Sequence, residues 1–193
     1  MLEDIDNLKA AQDALDQRAN ALLDKFIPFR DQFIEHLRQF TAAAVEKGLR
    51  GVNKLKIKKG TPELLEATLT LHEFNLVIIA SDTVYPMDWE DRKLGSKILI
   101  YRDGNEPNTP FMEVVFREAD DANYLFWVEW FAQSEKRHLA GGHPKFDPSG
   151  QEAAEAVMHH LYGFEYSWNE KPTLEEMRSA DTKKPLLGFV QEP

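Results

Sequence analysis

Four residues suited to acid–base and anion chemistry fall within ten positions: His138, His143, Lys145 and Asp147, in the stretch RHLAGGHPKFDP (137–148). A neutral imidazole takes or gives a proton near neutral pH, and a neighbouring aspartate can orient it. Lys145 can hold an anion, and Gly141–Gly142 would let backbone approach a ligand closely. The stretch follows the most aromatic segment, NYLFWVEWFA (123–132), which supplies Trp127 and Trp130. It precedes a helix start, where free backbone N–H groups favour negative charge. The candidate ligand-binding set is therefore His138, His143, Lys145, Asp147, Trp127 and Trp130, suited to a small acidic ligand or a hydrolytic reaction. A plainer account stands beside it. Gly-Gly followed by His-Pro is ordinary loop punctuation, and Asp147-Pro148 is an ordinary way to begin a helix.

Other chemistries find less support. The chain has no cysteine, which excludes disulfides, thiolate metal sites and cysteine nucleophiles. GxSxG, GxGxxG, P-loop and HExxH patterns are all missing from the sequence. Glu152, Glu155 and His159 share a helix face, but it lies opposite the apolar stripe Ala154, Val157 and Leu161 and has no third histidine in register. The carboxylate clusters DWED (88–91) and READD (117–121) read as solvated turns rather than as a pair converging across a cleft. We assign no catalytic residue, metal or cofactor from the sequence, and no motif suggests a family.

Charge narrows the partners. The net charge is −10, yet residues 1–60 hold 11 Lys/Arg against 9 Asp/Glu, whereas 61–193 hold 12 against 24. An acidic body repels phosphates, so nucleic acid would have to use the basic run KGLRGVNKLKIKK (47–59), which lacks the interleaved aromatics that stack bases. Nucleic-acid binding is not expected. Nor does any stretch approach the ~20 apolar residues of a membrane span, and the acidic start MLEDIDNLKAA lacks a secretory pattern. The expected location is cytoplasmic.

These residues must be positioned by the elements around them. From Ile5 a heptad seam runs through Leu8, Gln12, Leu15, Ala19, Leu22, Phe26, Phe29, Phe33, His36, Phe40 and Ala43. That spacing predicts a long amphipathic helix over residues 1–50. Pro28 interrupts it, and with no Gly or Asn beside it a kink is expected rather than a reversal. In NKLKIKKG (53–60) lysines alternate with Leu55 and Ile57, as in a protected edge strand. Apolar alternation then predicts strands in ATLTLHEF, LVIIAS, KILIYRDG, FMEVVFRE and NYLFWVEWFA. Short links without intervening helices imply an antiparallel meander of five or six strands. Ser149 with Glu152 makes a capping box for a helix ending at Gly163, and a shorter helix is expected over Pro172–Ala180.

The fold expected is α+β: a long kinked N-terminal helical segment (1–50), then a sheet domain with C-terminal helices (51–193). The function expected is non-catalytic: a protein- or ligand-binding module that self-associates through the first half of its helix, where Leu8, Leu15, Ala19 and Leu22 resemble a coiled-coil seam. Trp89, isolated in a polar loop, joins them as an interface candidate. The alternative is a small enzyme or small-ligand-binding domain using the loop 138–147 beside the aromatic strand 124–131.

Overall fold

The computed structural model describes residues 2–71, 74–87, 92–102, 109–132 and 135–161. The first element, α1, is a single helix over Leu2–Glu46. It does not reverse at Pro28. That proline has no N–H to offer the carbonyl of Asp24, but both residues are exposed, so the missing bond falls where water can replace it. Gly48, at a φ of +73°, follows the helix, and Leu49 N–H donates to the Ala44 carbonyl at 2.9 Å, a glycine-assisted stop.

Eight strands follow: β1 (Lys56–Gly60), β2 (Leu64–Leu71), β3 (Phe74–Ser81), β4 (Tyr85–Pro86), β5 (Leu94–Arg102), β6 (Met112–Glu118), β7 (Tyr124–Ala132) and β8 (Glu135–Gly141). They form one antiparallel sheet in the order β1-β2-β3-β5-β6-β7-β8, with the two-residue β4 pairing onto β5. The meander is thus as expected in kind and larger in number. The added long strand, β8, occupies part of the stretch read as a connection. Its residues EKRHLAG lack a run of β-branched side chains, so nothing apolar announces it. The final described element is α2 (Gly150–Leu161). The helix expected over 172–180 lies outside the described residues.

Alternation along each strand divides the sheet into two faces. Leu76, Ile78, Ile98, Ile100, Met112, Val114, Phe116, Phe126, Val128 and Trp130 join Leu22, Phe26, Phe29, Phe33 and Leu37 of α1 and Ala154, Val157 and Leu161 of α2 in one buried cluster. Aromatic rings weld helix to sheet: Phe29 lies 4.9 Å from Phe116 and 5.5 Å from Phe126, centroid to centroid. The two helices also meet directly. A Cβ on Gly150 would sit 1.9 Å from the Phe29 carbonyl oxygen, so only glycine permits this approach. The opposite sheet face is mixed. Val115 is buried there, and Lys97 pairs with the nearly buried Glu113 at 3.0 Å.

Candidate interaction surface

The stretch 137–148 is built into the frame of the molecule. His138 lies in β8 opposite Glu129, with a register shift just beyond it. Gly141 and Gly142 adopt φ of +94° and +95°, where side chains are strained. A Cβ on Gly141 would lie 2.2 Å from the Phe126 carbonyl oxygen, which instead accepts the Gly142 N–H at 2.7 Å. The glycine pair therefore serves a close approach to β7. Beyond it Lys145 exchanges two backbone hydrogen bonds with Tyr124, both at 2.8 Å.

The charged groups of the stretch also have partners within the chain. Lys145 Nζ reaches both carboxylate oxygens of Glu152, at 2.7 and 2.9 Å. Asp147 accepts a bond from Lys25 of α1 at 2.7 Å, and the same ammonium lies 4.2 Å from the Phe146 ring centroid. His143 is exposed. The start of α2 is occupied as well. Ser149 Oγ accepts the Glu152 N–H at 3.4 Å, and Gln32 of α1 accepts the Gly150 N–H at 3.2 Å. Half of the expected capping box forms; the Glu152 carboxylate turns to Lys145.

The two tryptophans are not brought together. Trp130 faces the core, its ring centroid 5.1 Å from that of His160 on α2. Burial pushes the His160 imidazole down to about 4, keeping it neutral. Trp127, three positions earlier, is on the other face, with the Arg117 guanidinium 5.4 Å from its ring centroid. An odd separation in a strand imposes that division. Trp89 lies outside the described residues.

Other polar clusters are similarly tied. Glu118 of READD takes Arg18, and Asp120 takes Lys93 at 2.7 Å, which holds the Asp120 carboxyl below its usual range. Glu155 faces His36 at 3.6 Å and Gln151 at 2.9 Å. Among the described residues no group of three His, Asp or Glu is arranged to hold a metal, and no helix is long and apolar enough to cross a membrane. Lys54, Lys56 and Lys58 line an open groove of about 280 Å³ with Asn53, Thr68, Thr70 and Asn75, on the edge the lysine spacing foretold.

What stands apart is the beginning of α1. Residues 4–18 are exposed without a break, about 22 Å of helix at the usual rise of about 1.5 Å per residue. Leu8 is 70% exposed, Ile5 56% and Leu15 47%. Ala19 is partly buried and Leu22 is fully buried, so of the four seam residues proposed for an interface Leu22 already belongs to the chain's own core. A collar marks the change. Arg18 grips Glu118 at 2.5 Å and the Arg92 carbonyl at 2.9 Å, while Glu118 also accepts the Leu94 N–H at 2.8 Å. Residue type alone sets the change after Leu22, whereas the structure sets it at Arg18–Ala19, because the heptad period does not change across it.

Compared with known protein families, curated proteins and solved structures, the chain matches none.

Proposed function

We propose that this chain is a non-catalytic binding module that self-associates through the first part of α1, with Ile5, Leu8 and Leu15 as its contact residues and Ala19 at the rim. One observation carries this reading. A single apolar stripe runs the length of the helix, and among the described residues its second part is covered by the sheet while Ile5, Leu8 and Leu15 of its first part stay exposed. Scattered exposed leucines are unremarkable on any surface, but three in heptad register on a helix are the seam of a coiled coil. The stretch 138–147 supports the non-catalytic side, because Lys145 and Asp147 are engaged in holding α2 and α1 in place.

Magnitudes set the strength. Completing the burial of six such side chains in a pair is worth roughly 1–2 kcal/mol each. Association costs on the order of 4–15 kcal/mol in lost freedom. The two nearly cancel, so the assembly is expected to be concentration-dependent rather than permanent. Sedimentation over a wide concentration range tests this. A rising mean mass is expected, and deletion of residues 1–17 should hold the mass at one chain while leaving the folded spectrum of the body intact. A chain that stays monomeric at the highest concentration would remove the proposal.

A further inference from the structure

Resting on that self-association, we infer that two copies pair antiparallel through the start of α1, with Ile5 of one copy facing Leu15 of the other and the two bodies at opposite ends. The argument is one of direction and space. Residues eighteen apart on an α-helix lie on one line, because eighteen is about five turns of 3.6. Leu8 therefore points the same way as Phe26, and Phe26 is fully buried beneath the sheet. The free seam and the sheet consequently lie on the same side of the helix, one after the other along its axis.

A parallel partner laid on Ile5, Leu8 and Leu15 would reach the level of Leu22 with its own sheet also turned inward. Two sheets would then claim one volume, since Leu22, Phe26, Phe29 and Phe33 already hold the body against that face in each copy. An antiparallel partner avoids this. Its seam ends at Ile5, opposite Leu15 and about one turn before the Arg18–Glu118 collar, and its body lies beyond the first copy's Ile5. The usable seam runs from Ile5 to Leu15 and is centred near residue 10, so Leu8 stands opposite Gln12.

Charge agrees with the direction. Residues 1–8 contain Glu3, Asp4 and Asp6 and no basic residue, whereas residues 9–18 balance Lys9 and Arg18 against Asp13 and Asp16. Parallel pairing would set the two acidic ends side by side. Antiparallel pairing sets each against the neutral stretch, and it also opposes the two helix dipoles.

The absence of native cysteine makes the test direct. The variants Ile5→Cys and Leu15→Cys are prepared separately, checked for helical content, and oxidised alone and mixed at a concentration where the unmodified chain is dimeric by sedimentation. A covalent dimer is expected in at least tenfold greater yield from the mixture than from either variant alone. Strong cross-linking of Ile5→Cys with itself, equal to the mixture, would overturn the antiparallel arrangement while leaving self-association in place. Equal weak yields from all three samples would also overturn it. A monomeric unmodified chain would instead defeat the underlying reading.

Discussion

The two parts of α1 share one helix and one apolar period, yet one is core and the other is surface. Phe26 and Phe29 are sealed against β6 and β7 and Phe33 is buried with them, whereas Ile5, Leu8 and Leu15 carry the same pattern into solvent. Residue chemistry differs more than spacing does. The sealed part uses large aromatics that interlock with Phe116 and Phe126; the free part uses medium aliphatics with Gln12 among them. Aromatics fill the uneven space between a helix and a twisted sheet, and aliphatics in heptad register fit another helix. Pattern alone marks one face of the helix as apolar along its length. On the reading proposed above, the kind of side chain separates a part that meets the sheet from a part that meets a second copy.

The contrast can be broken most forcibly in the sealed part. Phe29→Ala should cost about 3–5 kcal/mol in the unfolding free energy, measured by denaturant titration, because it opens a cavity between α1 and the two central rings. Next comes acid. His160 titrates near 4 in the folded chain against an ordinary 6.5, so between those values the unfolded chain binds more protons. Stability should therefore fall as pH drops from about 6.5 towards 4, by up to about 3 kcal/mol, and His160→Phe should flatten that slope. A slope unchanged in the variant would place the acid sensitivity elsewhere. At the boundary, Arg18→Ala should cost only about 1 kcal/mol, since its ion pair is half exposed and Glu118 keeps its bond to Leu94. It should show chiefly as faster amide exchange over residues 16–22. Leu8→Glu is the smallest in folding terms, below about 0.5 kcal/mol, and the sharpest in assembly. Concentration-dependent mass should vanish while the denaturation midpoint of the dilute chain stays put.

Much of this architecture is written locally. Alternation places β2, β3, β5, β6 and β7, and the heptad places α1, because burial on one face leaves a period that needs no partner to be seen. The strand β8 carries no such period, because the edge sequence EKRHLAG is largely charged and lacks β-branched residues. The fate of the candidate loop was hidden for a different reason. Lys145 and Asp147 have charges that suggest a ligand, but Asp147 meets Lys25, 122 positions away, and no local pattern announces such a pair. The glycines told a half-truth: they do allow close backbone approach, to Phe126 of the same chain. Trp127 and Trp130 were legible as facing apart from their odd spacing alone.

In the assembly proposed above, the unbroken run of α1 from Leu2 to Glu46 would tie the association of copies to the melting of the body. A helix of four turns is too short to persist by itself in water, so the exposed turns inherit their nucleus from the part anchored on the sheet. Losing the anchor dissolves the seam as well. Mass action then follows for the proposed assembly: raising the concentration should raise the melting temperature, and any copies still paired should separate when each one unfolds.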